Sequence, residues 1–258
     1  MDRVKIWLRQ RNEELKFRVR GIVRRWLRKA IQLAVHDLDL MNTMRDVTSS
    51  AAFEAEHLKD AAAFIHRIQL HRWVARNVPL TGGLFLEFGV YKGDSINRFA
   101  ELKPEVTWYG FDSFVGLPEA WNAGSKAGAF SQGGALPPVH KNVKLIKGFF
   151  EQTLPDFVAA HRGETIALMH IDCDLYSATK MVLSLTRPLL KSGTIIVFDE
   201  MFNHQNWQQD EYKALMEFAA EQKLRFEYLA YTRTGGQVAI KVIDVADAEG
   251  ATPLDRAN

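Results

Sequence analysis

The chain has 258 residues, 47% of them hydrophobic and 25% charged, an ordinary globular composition with room for one large domain or a domain plus an appendage. A single cysteine excludes an intramolecular disulfide framework and fits a reducing compartment, and no apolar run approaches the roughly 18 residues of a membrane span. The net charge of +2 hides an asymmetry: residues 1–30 hold eleven Lys and Arg against three acids, a surplus of +8, which leaves −6 for the remaining 228 residues.

Residues 1–35 predict a basic amphipathic helical arm. Val4, Leu8, Leu15, Val19, Ile22 and Trp26 recur at spacings of three, four and seven, with Arg and Lys between them. Three occupants remain open for its apolar side: the chain's own domain, a partner subunit in a homo-oligomer, or an anionic membrane surface with Trp7 and Trp26 at the interface. Nucleic acid is not an expected partner. The arm lacks the apolar core of a secretory signal, so the expected location is cytoplasmic, with peripheral contact at the inner face of the membrane as an open option. Residues 36–79 read as a helical cap region, because TSSAAFEAEHLKDAAAFIHRIQLHRWVARN (48–77) is rich in Ala, Leu and Glu. Asn77-Val78-Pro79 breaks that pattern and Thr81-Gly82-Gly83 makes a turn.

From residue 80 to 243 short apolar runs alternate with helical stretches. LFLEFG (84–89) leads to a helix from about 94, VTWYGFD (106–112) to a long loop, VKLIKG (143–148) to a helix near 151–161, IALMHID (166–172) to a helix near 177–190, and GTIIVFD (193–199) to a helix near 209–222. LRFEYLAY (224–231) and QVAIKVI (237–243) come last, joined by five residues, too few for a parallel crossover, so they form an antiparallel hairpin. The expected fold is therefore α/β: a doubly wound, mostly parallel seven-stranded sheet in the manner of the class I methyltransferases, Rossmann-like, with an N-terminal helical extension. The polar tail 244–258 is expected to fray.

The chemistry-bearing residues sit at strand ends. In LFLEFGVYKGDS (84–95), Gly89 and Gly93 remove Cβ atoms where a ligand approaches the backbone, and the helix start behind them offers free N–H groups. The spacing is G-x-x-x-G, not the G-x-G-x-x-G of dinucleotide sites. Asp112 ends the second strand, where a carboxylate can hold both hydroxyls of a ribose. Glu87 would repel a pyrophosphate and attract an ammonium group, so S-adenosylmethionine fits better than NAD.

EFGVYKGDSI, YGFDSFVGLPEAW, HIDCDLYSATK and GTIIVFDEM together resemble the macrocin-type O-methyltransferases, S-adenosylmethionine- and magnesium-dependent enzymes that methylate sugar hydroxyls in natural-product pathways. The likeness spans roughly residues 80–243 and excludes the basic arm. It implies that Glu87, Gly89, Val90, Tyr91, Gly93 and Ser95 line the methionine end of the cofactor, that Asp112 holds the ribose with Ser113 beside it, and that Gly148 and Phe149 flank the adenine.

In a doubly wound sheet the first, fourth and fifth of these strands are neighbours, so Asp172, Asp199 and Glu200 converge at the carboxyl ends. Like charges that close require a cation, and hard oxygen donors suit Mg²⁺ or another divalent ion. The family's trio often ends in two aspartates, and here its last member is Glu200. An acceptor hydroxyl would be activated there, with Asp174 the first candidate base, Asp172 able to share the role, and His170 and His204 the alternatives. Strand alternation turns Cys173 away from the Asp172 face, as a packing residue. The 28-residue loop 113–140, with Phe114, Trp121, Phe130 and His140, has the length of a lid over a small hydroxylated acceptor. Two other functions stay open at this level: an NAD-binding oxidoreductase, and a membrane-associated non-catalytic adaptor on a methyltransferase scaffold.

Overall fold

The computed structural model describes residues 2–78, 82–121 and 124–245, with side chains described from Lys16 onward except Phe17. Pro79, Thr81, the side chain of Trp7 and the tail beyond Val245 thus lie outside the described residues. The chain divides into two compact units, Met1–Ser49 and Ser50–Asn258.

In the first unit α1 (Asp2–Ala34) is one unbroken helix, and α2 begins at Leu38 and runs to His57. Val19, Ile22, Trp26 and Leu33 on α1 are exposed. Among the described residues no helix is long and apolar enough to cross a membrane.

The second unit is built on one sheet. Its strands are β1 (Ala62–Phe64), β2 (Leu84–Phe88), β3 (Trp108–Asp112), β4 (Val143–Lys147), β5 (Ile166–Ile171), β6 (Ile195–Phe198), β7 (Arg225–Thr232) and β8 (Val238–Asp244). They lie in the order β1-β7-β8-β6-β5-β2-β3-β4. Among the described residues only the pairs β6–β8 and β7–β8 are antiparallel. The sheet has eight strands rather than the seven expected. The extra strand, β1, lies in a segment read as helical. Its three residues, Ala62-Ala63-Phe64, pair in parallel with Ala230, Tyr231 and Thr232 of β7, and that non-local pairing overrides a helix-favouring composition.

β2 and β6 are buried along their whole length and β5 nearly so, as expected of parallel strands covered on both faces. Alternation sorts their side chains into two cores. Leu84, Leu86, Phe88, Met169, Ile171, Ile196 and Phe198 pack with α5 (Phe150–Ala160), α6 (Tyr176–Thr186) and α7 (Glu211–Gln222). Phe85, Leu168, Ile195 and Val197 pack with α3 (Arg67–Asn77) and α4 (Asp94–Leu102). The same parity puts Glu87, His170 and Asp199, three polar residues, on the α3–α4 side of the sheet.

Candidate active site

The carboxyl ends of β2, β3, β5 and β6 open into a cavity of about 590 Å³. Of the residues expected around the cofactor, Gly89, Val90, Tyr91, Ser95, Asp112, Ser113, Gly148 and Phe149 line it. Gly89 has φ +89°, and a Cβ there would stand 1.7 Å from the Asp172 carbonyl oxygen. Only glycine lets β2 leave the sheet against the backbone of β5. Asp112 organises the loops that follow. Its Oδ2 accepts from the backbone N–H of Val90 at 2.9 Å and of Tyr91 at 2.7 Å, and its Oδ1 from that of Phe114 at 2.7 Å.

Two expected cofactor residues lie off the cavity wall. Gly93, at φ +84°, caps the N-terminus of α4 and faces Asn97 and Pro138. Glu87 is fully buried, accepting from Ser95 Oγ at 2.9 Å and lying 3.0 Å from His170 Nδ1. Glu87 and His170 are register partners on adjacent strands, which is why their side chains meet. Glu87 therefore reaches the cavity only through Ser95.

His170 is likewise wholly buried and does not line the cavity. Its Nε2 is 3.4 Å from Asp199 Oδ1. Burial pushes its pKa down, but the carboxylates of Asp199 and Glu87 outweigh that and hold it well above the ordinary value. Buried between two carboxylates and off the cavity wall, it contacts Glu87 and Asp199 rather than the open cavity. Burial pushes the Asp199 carboxyl up, yet His170 and the Arg67 guanidinium hold it below the usual range. Asp199 Oδ2 also receives a hydrogen bond from Gln237 Nε2 at 3.1 Å and lies 3.5 Å from Arg67 Nη1.

The carboxylates whose ligand atoms lie within 4.8 Å of one another are Asp172, Asp174 and Glu200. Asp199 lines the same cavity beside them; its Oδ2 is held by Gln237 and Arg67, while its Oδ1 lies 3.4 Å from His170 Nε2 and makes no hydrogen bond among the described residues. Asp174 joins the trio because of a tight turn at the end of β5. Leu175 N–H donates to the Cys173 carbonyl at 2.6 Å, and Asp174 takes φ +62°, a left-handed conformation that aspartate tolerates better than most residues. Burial and the charge of Asp199 push the Asp172 carboxyl up, and burial with Asp172 does the same to Glu200. Burial and Asp199 raise Asp174 to about 7. Glu200 Oε2 has no hydrogen-bond partner among the described residues. Crowded, desolvated oxygens with an orphan among them fit a divalent cation, with Asp172, Asp174 and Glu200 as the available donors and Asp199 alongside.

Sequence reading missed three contributors. Arg67, at the start of α3, brings the cavity a cation; Glu211, at the start of α7, is fully buried and accepts from Glu200 N–H at 3.0 Å; Gln237 anchors Asp199. None carries a local signal, since each reaches the site from an element distant in sequence. Cys173 touches the cavity but packs in the α5–α7 core, and burial pushes its thiol up, away from the reactive thiolate form. His204 donates to its own loop, with Nε2 2.9 Å from the Glu200 carbonyl, and is not on the cavity wall. In the long loop Trp121 and Phe130 line the cavity, Phe114 is buried in the core, and His140 lies off the wall.

Residues 86–201, from β2 to just beyond β6, match the family model described as a methyltransferase domain. Among solved structures the chain is similar to the calicheamicin methyltransferase CalS11, with 24% identity, a TM-score of 0.55, and coverage of 80% of this chain and 93% of that one. It is also similar to the O-methyltransferase NovP, with 21% identity, a TM-score of 0.51, and coverage of 69% and 79%. A search among curated proteins returned no match. At these identities the structures establish the fold, and the domain match falls on the strands that wall the cavity. Residues 86–201 thus match a methyltransferase-domain model, and the second unit has the Rossmann-like fold of the class I methyltransferases.

Proposed function

We propose that this protein is an S-adenosylmethionine-dependent O-methyltransferase of macrocin type that uses Mg²⁺ or another divalent cation and acts on a hydroxyl of a small molecule, a sugar in natural-product or glycan biosynthesis. The observation that carries this reading is the placement of three raised, mutually close carboxylates, Asp172, Asp174 and Glu200, on the wall of the cavity that Gly89, Asp112 and Gly148 also line. S-adenosylmethionine supplies an electrophilic methyl group, and a divalent cation makes a hydroxyl more acidic.

The chain's own residues do the rest. The N–H groups of Val90 and Tyr91 are fixed by Asp112, so the loop after β2 is preorganised for a ligand. Asp174, in the left-handed turn just past Asp172 on the cavity wall, is the first candidate to accept the hydroxyl proton, with Asp172 and Glu200 left to hold the cation. Trp121 and Phe130 offer apolar and stacking surface to the acceptor, and positioning supplies much of the rate. An NAD-linked reading has no comparable support, because Gly89 and Gly93 lack the dinucleotide spacing.

Calorimetric titration tests the cofactor: S-adenosylhomocysteine should bind and NAD should not. Labelled cofactor incubated with extract of the source cells should then yield a methylated small product, and EDTA should abolish its formation. Equal turnover with EDTA, or full activity in Asp172→Ala, would sink the metal-assisted mechanism.

A further inference from the structure

No described side chain of the basic arm α1 lines the cavity, and the arm's chemistry fits a specific surface. From Lys16 to His36 the sequence has seven Lys and Arg and no acid. Within α1, at 3.6 residues per turn, Val19, Ile22, Val23, Trp26, Leu27 and Leu33 gather into an arc of roughly 140°, and Arg18, Arg24, Arg25 and Arg28 occupy the opposite side. All six apolar side chains are exposed, Trp26 at 71% and Leu33 at 69%. A helix that leaves such a face in water gains nothing from its amphipathic pattern, since helices of this length owe most of their stability to what they pack on.

We infer that α1 lies in the plane of an anionic lipid bilayer surface, its apolar arc in the headgroup–acyl boundary and its arginines reaching lipid phosphates and carboxylates. Charge decides among the possible occupants. Arg20 and Lys29 border the arc on its two sides and are exposed, so a second copy packed on the arc would bring like charges together along the seam, whereas an anionic leaflet attracts them, and their long side chains snorkel from the apolar boundary to the headgroups. Trp26 carries the amphipathic ring favoured at that depth. This surface would tether the enzyme without any spanning segment, and the inference stands apart from the proposed reaction.

The test is co-sedimentation of the full chain with vesicles of 70% phosphatidylcholine and 30% phosphatidylserine, against vesicles of pure phosphatidylcholine. Binding to the anionic vesicles should be at least about tenfold greater and should be released by 0.5 M salt. It should be lost in the triple variant Arg24→Glu, Arg25→Glu, Arg28→Glu and in the double variant Ile22→Ser, Trp26→Ser, both with the unfolding midpoint of the parent. The inference is overturned by three results. One is equal binding to both vesicles. Another is binding that survives charge reversal. The third is a change from dimer to monomer in the double variant with no lipid effect, which would make the arc a contact between copies.

Discussion

Gly89→Ala is the sharpest test of how the cavity is built. Gly89 sits at φ +89°, and an alanine Cβ would stand 1.7 Å from the Asp172 carbonyl oxygen and 2.6 Å from its carbon. Left-handed backbone costs an alanine about 1–2 kcal/mol. Reaching even 3.0 Å from that oxygen requires the ends of β2 and β5 to separate by about 1.3 Å, which strains the 2.9 Å bond from Asp172 N–H to the Phe88 carbonyl. Overpacking of this kind adds about 1–3 kcal/mol, for a total of roughly 2–5 kcal/mol. Gly163 provides the control: its φ is +94° and nothing lies within 4 Å of where an alanine Cβ would stand, so Gly163→Ala should carry the conformational cost alone. Urea unfolding measures both variants, and calorimetry measures S-adenosylhomocysteine affinity. Gly89→Ala should be less stable than Gly163→Ala by at least about 1 kcal/mol and should lose cofactor affinity, because the displaced segment carries the Val90 and Tyr91 N–H groups on one side and Asp172 on the other. Equal stabilities with intact affinity in Gly89→Ala would refute the steric account.

Asp112→Ala should weaken S-adenosylhomocysteine binding about 100-fold or more by freeing the backbone N–H groups of Val90, Tyr91 and Phe114, each worth about 1–3 kcal/mol when left unsatisfied; unchanged affinity by calorimetry would count against the preorganised loop. The folded-state pKa values of Asp172, Asp174 and Glu200 are raised, so their contribution to stability is present below the unfolded carboxylate values and is lost as pH rises through the folded ones, near 7 for Asp174. Saturating Mg²⁺ should consequently raise the urea midpoint more at pH 8 than at pH 6, and Asp172→Asn should remove most of that increment; an increment independent of pH would contradict the carboxylate site. His71 is pushed down to about 2, by burial first and then by the charge of His170, so the folded state refuses a proton that the unfolded chain takes up below about 6.5. Its share of stability is present above that pH and lost as pH falls, at up to about 1.4 kcal/mol per pH unit, and His71→Leu should show a shallower acid limb than the parent in urea titrations between pH 6 and 4.

Periodicity alone located β2 through β8 to within about two residues, because the covered strands β2, β5 and β6 read as short apolar runs and β3, β4, β7 and β8 as runs rich in β-branched and aromatic residues bounded by turns. β1 was illegible, since Ala62-Ala63-Phe64 has no strand character until β7 lies beside it. The strand-end acids were equally legible, but their partners were not. Alternation carried past the end of β5 gave the packing of Cys173 in the α5–α7 core, whereas the pairing of Glu87 with His170 depends on the register between two strands 83 residues apart in sequence. That pairing takes Glu87 and His170 off the cavity wall. It leaves Asp199 held by His170, Arg67 and Gln237, while a turn at φ +62° carries Asp174 into the trio with Asp172 and Glu200. By itself the sequence determined which residue types stand at the mouth of the sheet. Which oxygens face one another, and which lie against His170, Arg67 or Gln237, was decided only by tertiary structure, because charge pairing acts over a few ångströms of space between residues that chain order keeps far apart.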